Sequence, residues 1–358
     1  MPNSIRLGDV ATYINGYAFK PADRGDKGLP IIRIQDLTGN SYDLGYYDGS
    51  YPEKIEINNG DILISWSASL GVYVWNRGKA LLNQHIFKVV FDKEPIDKDY
   101  FVFAVKHKLN EMVGKTHGAT MKHIVKKDFD NTVIPYPSIK EQETIANILY
   151  RAEQLITKRQ TELLHLDELI KARFVEMFGD AVDNPMGWPT KELQELVTDE
   201  CTISYGIVQT GDDQDFGVPV FRPVDIVNHT PVRSELKKTT EEISNKYKRT
   251  ILRGRELLIT VRANIADTCI VGEEFTGCNV GRGIVPIRTK EDEITLEFLK
   301  HQLDSKHLND NIKSKAKGIT LIQLNMEDLR TVTLMVPPIE LQKAFVEFAQ
   351  QVDKSKLS

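Results

Sequence analysis

Arg262 and Asn264 carry the two side-chain types that pair with guanine and adenine edges in a duplex groove. They follow the strand-like run "ELLIT", and the matching run "DILIS" is followed by Trp66 and Ser67. Both turns are therefore candidate points of contact with bases. Lys115, Lys122, Lys315 and Lys317 surround the segments that begin at Gly118 and Gly318. Lysines so placed have the charge for phosphate oxygens.

Catalytic chemistry is harder to find. There is no Gly-x-x-x-x-Gly-Lys-Ser/Thr phosphate loop, and no Gly-x-Gly-x-x-Gly that follows a strand and opens a helix. "GCNVGRG", from Gly277, leads into the strand-like "IVPI", so its glycines read as turn residues. His107, His117 and His123 lack the spacing of metal ligands, and no metal site is expected. An adenine methyltransferase needs an Asn/Asp-Pro-Pro-Tyr/Phe loop. Asn184–Pro185 is followed instead by Met186–Gly187, which reads as a linker turn. No carboxylate cluster of nuclease type recurs in both halves of the chain. The expectation is a recognition protein with no catalytic residues and no cofactor of its own.

The chain has 358 residues, too many for one ordinary core, which points to two or more domains. Hydrophobic residues at 41% and charged residues at 27% exclude a disordered or fibrous class. "MPNSIRLGDV" does not read as a signal peptide, and no apolar run approaches a membrane span. Cys201, Cys269 and Cys278 are too scattered for a disulfide framework. A cytoplasmic protein is expected. The net charge of −5 argues against a uniformly basic nucleic-acid binder, yet basic stretches occur at Lys106–Lys127 and Arg249–Arg262.

The elements that must hold the two turns occur twice. "GATMKHIVKKDFDNTVIPYPSIKEQ", from Gly118, returns without a gap as "GITLIQLNMEDLRTVTLMVPPIELQ", from Gly318. Thr120 answers Thr320, Asp128 answers Asp328, Ile139 answers Ile339 and Gln142 answers Gln342. "PIIRIQDL", from Pro30, likewise returns as "PVFRPVDI", from Pro219. Each copy opens with short β-type runs and continues into helical spacing at "DKDYFVFAVKHKLNEMV" or "TLEFLKHQLDSKHLNDNI". So long a period makes the repeating unit a domain.

Between the copies, Pro137, Ser138 and Glu141 mark a helix start with a capping box. Leu149, Ile156, Leu163, Ile170 and Met177 then stand seven apart, the mark of a helix packed along another helix. Such a helix would run roughly 60 Å. Its expected partner is its own repeat after Pro338, where Phe345, Phe348 and Val352 form the matching face. That second helix reads as cut short at Ser358. The boundaries expected are 1–137 and 181–337 for the domains, and 138–180 and 338–358 for the helices.

Two divergent domains, each carrying Pro-x-x-Arg-x-x-Asp and left through Pro-x-Ile-x-x-Gln into a long helix, resemble the specificity subunit of type I restriction–modification systems. The resemblance covers the whole chain, including "NPMGWPTKEL" before the second domain. It implies an α+β architecture, with two mostly-β target recognition domains joined by helices that form an antiparallel coiled coil. Each domain would read one half of a bipartite site in double-stranded DNA, and the helices would set the gap, with half-sites about 34–36 Å apart. The helices would also dock two modification subunits, which carry S-adenosylmethionine. Motor subunits using ATP and Mg2+ would complete an endonuclease. The face at Leu149 and Ile156, beyond the reach of the short helix, is expected to promote self-association. The rival reading is a protein-binding scaffold of two β-rich domains with no role on DNA.

Overall fold

The computed structural model describes residues 3–40, 43–115, 124–226, 231–318 and 322–357, leaving aside the side chains of 113–115. Two compact units divide the chain, Met1–Arg159 and Gln160–Ser358. The division falls inside one continuous α-helix, Ile139–Phe178, so each unit holds half of this spacer helix.

In the first unit a four-stranded sheet is ordered Thr12–Asn15, Ile86–Val90, Ile62–Ser65, Gly71–Val74, all antiparallel. A second sheet is ordered Tyr46–Tyr47, Leu29–Ile32, Ala80–Leu82, Glu56–Ile57, with one parallel pair in its middle. Strand Ile62–Ser65 is buried along its whole length, as its unbroken apolar run requires. The second unit repeats the plan. Glu256–Thr260 pairs with Thr268–Val271 and Ile284–Ile287, and Val218–Phe221 pairs in parallel with Asn279–Val280.

The two Pro-x-x-Arg-x-x-Asp stretches have one structural role. Asp36 accepts from Arg33 backbone N–H (2.8 Å) and from its Nε (3.1 Å). Asp225 does the same for Arg222, at 2.7 and 3.1 Å. Each aspartate ends a strand and starts a short helical turn by satisfying a free donor.

Helix Lys98–Lys115 follows the first sheet. Its counterpart is broken into Leu296–Leu303 and Lys306–Ser314 at Asp304–Ser305. The spacer helix starts where expected: Ser138 N–H donates to Glu141 Oε2 at 2.9 Å, and Ser138 precedes Ile139 as its cap. The closing helix, Ile339–Ser355, runs antiparallel to the second half of the spacer helix. Phe345 lies 5.4 Å from Phe174 and 5.7 Å from Phe178, ring centre to ring centre, while Lys356 reaches Asp167 at 2.6 Å. The buried ridge is Ile170, Phe174 and Phe178. It steps by four residues, because a straight helix drifts from a strict seven-residue repeat.

Gln142 and Gln342 close each unit, and both are wholly buried. Gln342 Oε1 accepts Thr295 N–H at 3.0 Å, and its Nε2 donates to the carbonyls of Glu293 (2.9 Å) and Pro337 (2.8 Å). Gln142 Oε1 accepts Asp97 N–H at 2.9 Å, and its Nε2 donates to Pro137 at 2.9 Å. Thr295 and Asp97 in turn cap the helices that follow the sheets, donated to by Phe298 and Tyr100 backbone N–H. One side chain thus ties the foot of a long helix to the cap of another. Gln342→Leu, close in volume, is expected to cost about 2–5 kcal/mol by leaving buried backbone groups unpaired. Thermal unfolding of the second unit's transition measures this. A melting point equal to the parent's would show that the glutamine is a spectator.

Candidate nucleic-acid interface

The two turns singled out in the sequence have one backbone design. Ser65 Oγ donates to Ser69 carbonyl, and Thr260 Oγ1 to Asn264 carbonyl, each closing the turn across four residues. Ala68 and Ala263 then adopt φ of 58° and 61°, a left-handed conformation that non-glycine residues take at a cost. Behind the turn, Ile124 N–H donates to Trp66 carbonyl at 2.9 Å, and Leu324 N–H to Val261 carbonyl at 3.0 Å. These contacts fix the register: Trp66 answers Val261, Ser67 answers Arg262, and Ser69 answers Asn264.

That register places the candidate residues differently from one another. Ser67 points inward, 8% exposed, and Ala68 and Ser69 form the exposed tip. Trp66 is half-buried, stacked on Phe87 at 5.5 Å with its Nε1 donating to Asn15 Oδ1 at 3.3 Å. In the second unit, Arg262 is half-buried and Asn264 exposed. Asn264 lines a shallow cavity of about 490 Å3 with Ala263, Ile265, Asp267, Lys313 and Ile322. Arg262 and Lys317 stand on either side of Gln323, each joined to it by a backbone bridge. Lys315 ends helix Lys306–Ser314. Lys115 is the last residue of its helix, and Lys122 lies outside the described residues.

Two arginines of the basic stretch before Arg262 are engaged elsewhere. Arg253 pairs with Glu200, and Arg255 with Glu297 at 3.1 Å. Glu256, wholly buried, is held by Arg288 at 2.9 Å and by Arg253 N–H at 2.6 Å. Of these pairs, Arg288–Glu256 is the buried one.

Two further exposed residues lie beside these turns. The segment before strand Ile284–Ile287 presents Arg282, exposed between Gly281 and Gly283. Gly281 bridges Ile207, and Gly283 carbonyl accepts from Val261 at 2.8 Å, so Arg282 sits beside the Arg262 turn. A Cβ on Gly283 would come within 2.6 Å of Pro223 Cγ. The glycine is what lets the backbone pass so close. The first unit has the same arrangement: Asn83 bridges Tyr17, His85 carbonyl accepts from Trp66 at 3.3 Å, and Gln84 is exposed. The sequence signal was the shared place of "NQH" and "GRG" before equivalent strands, hidden by the turn character of the glycines. In each unit, two adjacent turns therefore offer exposed groups able to pair with base edges.

Asp180, Asp183 and His307 form a cluster of another kind, with one atom from each within 4.8 Å of the others. The Asp180 carboxylate is already occupied by Val182 N–H (2.9 Å), Asp183 N–H (3.1 Å) and His307 Nδ1 (2.6 Å).

Compared with known proteins, residues 3–165 and 185–358 both match the type I restriction modification DNA specificity domain. The chain belongs to that family. As a specificity subunit it is 26% identical to the type I restriction enzyme EcoBI specificity subunit of Escherichia coli, over 97% of this chain and 78% of that one. It is 23% identical to the putative type I restriction enzyme MjaX specificity subunit of Methanocaldococcus jannaschii, over 97% and 85%. Among solved structures, the S subunit of a type I restriction-modification system from M. genitalium superposes with a TM-score of 0.56 at 13% identity, covering 99% of this chain and 90% of that one. A chain from a structure of type I R-M complex assembly superposes with a TM-score of 0.57 at 18% identity, over the same shares. The two matched segments each contain one pair of tethered turns.

Arg262→Ala and Arg282→Ala are each expected to relax one base-pair position, at a cost of about 1–3 kcal/mol. Binding measured against single base-pair replacements checks this. An even loss across all sequences would make either residue a phosphate contact instead.

Proposed function

We propose that each unit reads one half of a split site in duplex DNA through its paired turns. The observation that carries this reading is the recurrence, at one register in both units, of the closed turn at Ala68 or Ala263 beside an exposed Gln84 or Arg282. The frame is common to both units and the outward side chains differ, so the two half-sites need not match. The spacer helix lies between the two readers in the chain and sets the gap. A whole chain of net charge −5 binds phosphates with the help of partner subunits.

The partners follow from the same reading. Two modification subunits carrying S-adenosylmethionine dock on the helices and methylate adenine, and motor subunits using ATP and Mg2+ add cleavage. No described helix is long and apolar enough to cross a membrane, which fits a complex that works on cytoplasmic DNA.

The helix faces support docking. In the second unit Phe345, Ala349 and Val352 are buried against Ile170, Phe174 and Phe178. In the first unit the equivalent positions of the spacer helix, Ile145, Leu149 and Ala152, are open, and Ile148 and Ile156 beside them are 61% and 57% exposed. Leu163 and Met177 are half-buried and Phe348 is partly covered. A stripe of this kind is covered by a modification subunit in the complex, and by a second copy without one.

Two experiments test these readings. Exchanging residues 1–137 for the first domain of another family member should change one half of the methylated site and leave the other intact. A change in both halves would refute separate readers. Leu149→Glu combined with Ile156→Glu should abolish capture of the modification subunit and the self-association of the isolated chain, with DNA-reading units still folded. Sedimentation of the unaltered chain as a monomer at about 10 μM, the concentration range of weak specific association, would rule out self-association.

A further inference from the structure

Arg262 is held in place by its neighbours. Its Nε (2.7 Å) and its Nη2 both donate to Oε1 of Gln323. Gln323 Nε2 in turn donates to the Tyr205 hydroxyl. The amide can face only one way, because its oxygen meets two guanidinium donors and its nitrogen meets a hydroxyl oxygen. All three side chains are half-buried.

A guanidinium has two edges that can donate in pairs, Nε with Nη2 and Nη1 with Nη2. Gln323 takes the first. Among the described residues Nη1 and the second N–H of Nη2 have no hydrogen-bond partner, so theirs is the edge left for an incoming acceptor. Gln323 is also fixed through its backbone, by bridges to Arg262 and Lys317. Tyr205 lies two residues before Ile207, which bridges Gly281 next to Arg282.

The first unit supplies an independent parallel. Asn15 stands two residues before Tyr17, which bridges Asn83, so Asn15 occupies the place of Tyr205. Asn15 Oδ1 accepts from Trp66 Nε1, on the equivalent turn. Both units therefore tie the turn to an equivalent position of the chain through side chains, directly from Trp66 in the first and through Gln323 in the second.

We propose that Gln323 and Tyr205 are positioning residues for recognition by the second unit, aiming the Nη1–Nη2 edge of Arg262 at a base. This rests on the reading of Arg262 as a base contact. A free arginine surrenders considerable rotamer freedom on binding, and a loose fork discriminates poorly between guanine and other acceptors. Gln323 meets that entropic cost in the folded chain, before DNA arrives.

The test uses the full chain with its modification subunits. Duplex oligonucleotides carry the site mapped by methylation in cells, and every single base-pair replacement of it. Arg262→Ala should lower discrimination at one base pair by about tenfold or more. Gln323→Leu should lower it at the same base pair by about five- to tenfold, and Tyr205→Phe by less. Gln323→Glu keeps the acceptor for both guanidinium donors. It should retain the discrimination while weakening all sequences evenly, by its charge. Thermal unfolding checks each variant, and Tyr205→Phe, which removes a single oxygen, decides the matter if Gln323→Leu does not fold.

Relaxation at a different base pair would make Gln323 a reader in its own right and overturn the proposal. So would unchanged discrimination in Gln323→Leu and Tyr205→Phe while Arg262→Ala relaxes its position, and the Arg262 reading would then survive alone. No effect of Arg262→Ala would remove both.

Discussion

A buried glutamine at the foot of each long helix is the constraint on which the rest depends. The amides of Gln142 and Gln342 are each held, through both oxygen and nitrogen, by backbone groups from the helix start and from the cap of the helix that follows the sheet. An amide so placed cannot move without leaving buried donors and acceptors unpaired, which costs more than the bonds themselves contribute. It therefore fixes the angle at which a helix leaves a recognition unit. The duplicated Pro-x-Ile-x-x-Gln stretch is this clamp: proline and isoleucine start the helix and the glutamine locks it.

Against that fixed frame, the reading surface is free to diverge. Ser65 and Thr260 close their turns by the same hydroxyl-to-carbonyl bond, and Ala68 and Ala263 take the same left-handed conformation. The outward positions carry different chemistry, Gln84 against Arg282, and at the next position Ser67 turns inward where Arg262 is half-exposed. Aromatic stacking of Trp66 on Phe87 and the Gln323–Arg262 contact are two solutions to the same task of stiffening the turn. Strain at the alanines is sustained because strand burial behind them over-determines the backbone.

Local rules made much of this legible in the sequence. The duplication, the Ser138–Glu141 cap, the strands Ile62–Ser65 and Glu256–Thr260, and the family all follow from short patterns whose physics is confined to a few residues. What escaped depends on contacts distant in the chain. Ser67 shares its turn with exposed residues, and only the strand register turns it inward. Arg253 and Arg255 read as a basic patch because Glu200 and Glu297 lie far away in sequence. Phe174 and Phe178 fall off a strict seven-residue repeat, yet they form the ridge that buries Phe345. Arg282 was masked by the glycines that allow its exposure. The helix after the second sheet breaks at Asp304–Ser305, where Lys300 pairs with Asp304 and the chain restarts at Lys306.

The central claim is that two units with one frame read two separate pieces of DNA. Mapping methylated adenines across the genome of cells that carry this chain with its modification subunits tests it most directly. The account predicts a motif of two short specified segments, unlike in sequence, separated by a gap of fixed length and no preferred bases. A single uninterrupted motif, or two halves that always change together when one unit is replaced, would contradict it.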